Sequence, residues 1–201
     1  LGLLNAKVFI SNKFVKTSIA IIGDKIVFIG KVSSKECKRS HDYSGKHILP
    51  GMIDTQVHFR EPGLTHKEDL SHGTKAALLG GITSIFEMPN TSPATINRKE
   101  LNKKIKIAKK NSWSNFAFFL GACKKNIKKL NELEKINGCA GVKIFMGSST
   151  GSLLVSEEKD LELALKTCKR RVAIHSEDED RLFKRFKNIN KKNGVVEHVN
   201  W

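Results

Sequence analysis

Two regimes of apolar spacing divide the chain. Over residues 1–48 the apolar runs are short and β-branched, and no helical period appears. Ser18-Ile-Ala-Ile-Ile22 and Lys25-Ile-Val-Phe-Ile29 flank Gly23-Asp24, a pair suited to a two-residue type II′ hairpin. From Leu49 onward, strand-like and helix-like stretches alternate. Strands are predicted at 52–58, Thr83–Met88, Phe116–Leu120, Gly141–Met146 and Arg171–His175. The first helix is predicted over 66–79, opened by a Thr65/Glu68 capping box and closed by Gly80-Gly81. The second starts near Asn97, with Leu101, Ile105 and Ala108 on its buried face, and the third spans 125–135 with Ile127, Leu130 and Leu133 inward. The fourth follows Ser156 and buries Leu161, Ala164, Leu165 and Cys168; the fifth is capped by Ser176 and Glu179 and carries Leu182, Phe183 and Phe186. Lys187 to Trp201 is polar.

Consecutive strand–helix units imply an α/β fold with a parallel sheet covered by helices. A doubly wound sheet and a (β/α)₈ barrel both fit. A full barrel takes ~250 residues. On the barrel reading, 1–48 is a β segment and 49–201 holds about the first five units, with the last three absent.

The unusual polar residues fall at strand ends: His58 after the first barrel strand, Asn90 after the second, His175 after the fifth. Barrel enzymes build their active sites at that end. Gln56, His58 and Arg60 have spacing two, so they share a face if the strand runs through Arg60. The alternative is an edge strand with a solvated polar face. Lys143 lies inside the fourth strand. If Val142, Ile144 and Met146 face the helices, Lys143 faces the interior, where a bare ammonium is costly. That position asks for a Schiff base, an ion-pair partner, or a metal ligand after modification. A strand-end lysine snorkelling to water is the alternative. His41, His47, His66, His72 and His198 fall in loops or on helix faces and read as structural or solvated.

The formal net charge of +16 raises a nucleic-acid hypothesis. Most of the basic residues are lysines spread along predicted helices, as in Lys103-Lys104, Lys109-Lys110 and Lys124-Lys125, without interleaved aromatics to stack bases. A solvated helix face accounts for them. No apolar run reaches the ~20 residues that span a bilayer, and Leu1–Ile10 lacks the pattern of a secretory leader. Cys37, Cys123, Cys139 and Cys168 form no CxxC pair and read as reduced, mostly buried thiols of a cytosolic protein.

Five segments together resemble dihydroorotase, within the cyclic amidohydrolases. They are Pro50-Gly-Met-Ile-Asp-Thr-Gln-Val-His-Phe-Arg-Glu-Pro-Gly63, Thr65-His-Lys-Glu-Asp69, Glu87-Met-Pro-Asn-Thr91, Gly141-Val-Lys-Ile-Phe-Met146 and His175-Ser-Glu177. The resemblance covers essentially the whole chain and implies a small β-sandwich ahead of a zinc-dependent barrel, active on cyclic amides in pyrimidine synthesis. It implies His58 and His175 as metal ligands and Lys143 as a carboxylated lysine bridging two zinc ions. Arg60 would grip the substrate carboxylate, with Asn90 assisting; a guanidinium suits that task better than an ammonium. A homo-oligomer is also implied. The pattern departs from the family at Gln56, where His-x-His is usual, and a neutral amide is a poorer zinc ligand. The family's strand-six histidine and strand-eight aspartate, the expected general base, would lie beyond Trp201, so residues 1–201 alone are expected to be inactive. Two other readings stand beside it. One is a hydantoinase or dihydropyrimidinase, suggested by Lys-Ile-Phe-Met. The other is a non-catalytic partner of aspartate carbamoyltransferase.

Overall fold

The computed structural model describes residues 1–147 and 153–189. The chain divides into two compact units, Leu1–Gly51 and a second beginning at Met52.

The first unit is one five-stranded sheet. Its strands are β1 (Gly2–Ile10), β2 (Lys13–Ile22), β3 (Lys25–Gly30), β4 (Ser40–Asp42) and β5 (His47–Ile48). β1 is central. It pairs antiparallel with β2, which pairs antiparallel with β3, while β4 and then β5 share the other edge of β1 in parallel. The β2–β3 turn has Gly23 at φ +63° and no positive φ at Asp24, as a type II′ turn requires. Alternation puts Ala6 and Val8 with Ile19 in a small core, against Tyr43 and Ile48. The far edge of the sheet keeps Ile22, Ile26 and Phe28 exposed.

The second unit alternates as its periodicity predicts. It runs β6 (Met52–Val57), α1 (Leu70–Leu79), β7 (Ile82–Glu87), α2 (Arg98–Asn111), β8 (Asn115–Gly121), a 3₁₀ turn leading into α3 (Leu130–Leu133), β9 (Cys139–Phe145), α4 (Glu158–Thr167), β10 (Val172–His175) and α5 (Glu179–Ile189). The five strands lie side by side in chain order, each parallel to the last. A doubly wound sheet reverses its strand order at a switch point. No reversal occurs here, and the unit is the first part of a (β/α)₈ barrel. Between sheet and helices, Leu70, Leu101, Phe118, Leu120, Val142, Ile144 and Ala164 form one core, with Met146 packed against it. On the opposite face Met88, Phe119 and Ala140 make a second cluster. Gly141, at φ +152°, resets the alternation of β9; a β-carbon there would run into the Arg171 carbonyl. Val142 and Ile144 then face the helices and Lys143 the other side, as expected.

Several boundaries differ from expectation. Helix α1 starts at Leu70, not 66, because Asp69 is the cap: its carboxylate accepts the His72 N–H at 2.8 Å. Aspartate outranks threonine as a cap, and Pro62-Gly63 spends the preceding residues in turns, so the Thr65/Glu68 box is unused. Asp178, rather than Ser176, caps α5 by accepting the Arg181 N–H at 2.9 Å. Leu165 is exposed, not buried, and Phe183 and Phe186 of α5 are exposed as well. Lys104 is not on a solvated face: its side chain is fully buried, while Lys103, Lys109, Lys110, Lys124 and Lys125 are exposed. Among the described residues no helix is long and apolar enough to cross a membrane. His198 lies outside the described residues.

Candidate active site at the strand ends

Strand β6 ends at Val57, so its alternation does not extend to Arg60. The chain leaves the sheet there, and Arg60 takes a left-handed conformation at φ +66°. Its N–H donates to Glu87 Oε1 at 3.1 Å, which fastens the departing chain to the end of β7. Gln56, still in β6, is exposed, whereas His58 and Arg60 are half-buried. The three residues therefore do not form one strand face.

What joins this loop to the next is Asn90. Its side-chain carbonyl lies 2.8 Å from His58 Nδ1, and its backbone carbonyl accepts Arg60 Nη1 at 3.3 Å. An amide oxygen only accepts, so His58 carries its proton on Nδ1 and keeps the Nε2 lone pair free. Burial holds the His58 imidazole below its ordinary pKa of 6.5. The Asn90 hydrogen bond opposes this, and the charges of Arg60, Lys143 and Lys104 add to it. The ring is neutral at pH 7, the form that binds a metal.

Lys143 is 2% exposed and does not snorkel to water. Burial pushes its ammonium below the usual lysine range. Its Nζ lies 5.1 Å from the centroid of the Phe145 ring, and no carboxylate pairs with it among the described residues. Phe145 in turn stacks on His175 at 6.1 Å. His175 ends β10, and its Nε2 meets Glu177 Oε2 at 2.7 Å. That contact engages Nε2 and leaves Nδ1 for another ligand. No contact joins His175 directly to His58 or Lys143. Among the described residues no group of three or more His, Cys, Asp and Glu side chains could hold a metal ion.

Charge separates two regions of this end of the sheet. A cleft of about 880 Å³ beside β9 and β10 is lined by Glu157, Glu177, Asp178 and Glu179 together with Lys159, which pairs with Glu157 at 3.0 Å. Arg60 supplies positive charge beside His58 and Asn90. An anionic ligand is attracted to the Arg60 guanidinium.

Three further groups support the site, and sequence reasoning passed over them. Glu87 and Lys104 form a fully buried ion pair behind the Met88-Pro89-Asn90 turn. Asn126, also buried, donates to the carbonyls of Ile96 and Gly121 at 2.8 Å each and accepts the Cys123 N–H at 2.9 Å, tying together the loops after β7 and β8. A signal did exist for Lys104. It lies three residues after Leu101 and four before Ala108, on the apolar face of α2.

Residues 47–186 match the Amidohydrolase family. The dihydroorotase of Methanosarcina mazei is 41% identical over 87% of this chain and 39% of its own length. That of Pyrococcus horikoshii is 38% identical over 86% and 38%. An allantoinase from Desulfitobacterium hafniense is 38% identical over 65% of this chain and 29% of its own length. Among solved structures, the L-hydantoinase (dihydropyrimidinase) of Arthrobacter aurescens superposes with a TM-score of 0.87 at 25% identity, covering 96% of this chain and 44% of that one. The chain thus spans about two fifths of the length of these dihydroorotases. With a family match across most of its length and a sequential parallel half-barrel beneath it, the chain belongs to the amidohydrolase family.

Proposed function

We propose that this chain supplies the substrate-carboxylate grip and part of the metal site of a dihydroorotase, which interconverts N-carbamoyl-aspartate and dihydroorotate in pyrimidine synthesis. The observation that carries the reading is the His58–Asn90–Arg60 cluster. It sets a guanidinium beside a neutral, Nδ1-protonated histidine at the strand ends. In the hydrolytic direction, water adds to the ring carbonyl and the ring C–N bond breaks, leaving a carbamoyl nitrogen and a new carboxylate. The substrate's other carboxylate is unchanged, so it can serve as a handle. Arg60 holds that handle in a charge-assisted contact, and Asn90 fixes both Arg60 and His58.

The residues fit a metal centre once Lys143 is modified. His58 offers Nε2, His175 offers Nδ1, and Lys143 is buried without a carboxylate partner among the described residues. A lysine ammonium that gives up one proton becomes an amine that attacks carbon dioxide; as the N–C bond forms and one C–O π bond opens, the nitrogen releases a second proton to solvent, leaving an anionic carbamate with oxygens to donate. Burial favours the neutral amine needed for this step. Zinc suits such nitrogen and oxygen donors; when bound it would polarise the ring carbonyl and activate water. Gln56 is the weak member of the set.

The hydantoinase reading draws on the fold likeness to hydantoinases and on the same lysine strand. Arg60 argues against it, since hydantoins carry no carboxylate at that position. Metal content of the full-length protein tests the proposal. After exhaustive dialysis, at least one zinc per chain is expected, and Lys143→Ala should lose it, with partial return of activity when a short carboxylic acid is added. A wild-type chain that retains less than half a metal, or a fully active Lys143→Ala, would sink the carbamate centre.

A further inference from the structure

Glu87 and Lys104 are both fully buried, and each spends its bonding on the candidate site. Lys104 Nζ stands 2.5 Å from Glu87 Oε2, a close ion pair rather than a well-aligned hydrogen bond. The same ammonium donates to the Met88 carbonyl at 2.9 Å and lies over the Phe118 ring at 5.1 Å. The other carboxylate oxygen, Oε1, accepts the Arg60 N–H at 3.1 Å. One pair therefore holds two backbone points. One is the left-handed residue that carries the guanidinium. The other is the start of the turn that delivers Asn90.

Stability does not account for such a pair. Two facing apolar side chains of similar volume would serve the core as well or better, because the desolvation cost of a buried pair rivals its attraction. What an apolar pair lacks is an acceptor for Arg60 N–H and a donor for Met88 C=O. A left-handed non-glycine residue persists only where its surroundings impose it. Oε1 of Glu87 holds the amide of Arg60, and the Leu64 N–H holds its carbonyl at 3.1 Å.

We propose that Glu87 and Lys104 are positioning residues: they lock Arg60 and the Met88–Asn90 turn in the geometry that receives the substrate carboxylate. This rests on the dihydroorotase reading for its substrate, though not for its geometry. Two double variants of the full-length protein separate positioning from packing. Glu87→Met/Lys104→Met removes the charges, the acceptor and the donor. Glu87→Gln/Lys104→Met also removes the charges but restores an acceptor for Arg60.

The Met/Met variant is expected to keep its melting temperature. Its Arg60 amide should exchange about tenfold or more faster by NMR. Its KM for dihydroorotate should rise by roughly 10–100-fold while kcat stays within about threefold. The Gln/Met variant should recover Arg60 protection and most of the KM. If both variants show wild-type exchange and KM, the pair is only packing and the proposal fails. Should the Met/Met chain not fold, the Gln/Met chain decides alone: Arg60 protection retained supports the proposal, and protection lost overturns it. Exchange at Arg60 needs no substrate. If the wild-type protein does not turn over dihydroorotate, the substrate reading falls and the exchange result still decides the positioning claim.

Discussion

Asn90 Oδ1 sits 2.8 Å from His58 Nδ1, and this contact sets which ring nitrogen of His58 is free. Exchanging the neutral amide for a carboxylate reverses the local electrostatics, since an adjacent negative charge favours imidazolium. In metal-free Asn90→Asp, His58 should titrate about one pH unit or more higher than in metal-free wild type, followed by NMR of the ring carbons. An unmoved titration would mean that the two side chains are not in contact in solution.

In the wild type, burial dominates and depresses the His58 pKa. The unfolded chain, at the ordinary value of 6.5, therefore takes up this proton before the folded chain does. The stabilisation is complete above that value and is lost as pH falls below it toward the folded pKa. In the metal-free protein, melting temperature should decline as pH falls below about 6.5, and His58→Gln should flatten part of the decline. Identical slopes in the two proteins would remove His58 from the acid response.

Neighbouring lysines on α2 should behave differently. Lys104→Met strands the Glu87 carboxylate in the interior without its counter-ion, at a cost of about 3–5 kcal/mol. Lys103→Met touches a solvated side chain and should stay within about 0.5 kcal/mol of wild type. Denaturant midpoints at neutral pH compare them. Equal effects would show that Lys104 is not paired inside.

Arg60→Lys keeps the charge and loses the fork that grips a carboxylate through two bonds. In the full-length protein it should lower kcat/KM for dihydroorotate by roughly 10–1000-fold, the scale of a charge-assisted pair. Steady-state kinetics decide this, and unchanged values would remove the carboxylate grip.

The unit beginning at Met52 was legible because its strands and helices repeat two clean periods, and because turn residues sit where the chain reverses. Lys143 was legible for the same reason: flanked by Val142 and Ile144, it had one face to occupy. The misses come from tertiary choices that local patterns do not encode. Thr65/Glu68 and Asp69 are both acceptable helix starts, and the Glu61–Leu70 hydrogen bond at 2.8 Å favours the later one. Strand spacing suggested a shared face for Gln56, His58 and Arg60, but Glu87 captures the Arg60 backbone and bends it out of the strand. Lys104 looked like one more surface lysine because its partner lies 17 positions earlier, on another element.

The central claim is a site built for a cyclic amide that bears a carboxylate. Dihydrouracil differs from dihydroorotate by lacking that group, so the ratio of their kcat/KM values in the full-length protein measures the claim directly. A preference of about 100-fold or more for dihydroorotate is the expected result, the scale of a lost charged contact. Equal values, or a preference for dihydrouracil, would contradict the account and favour the hydantoinase reading.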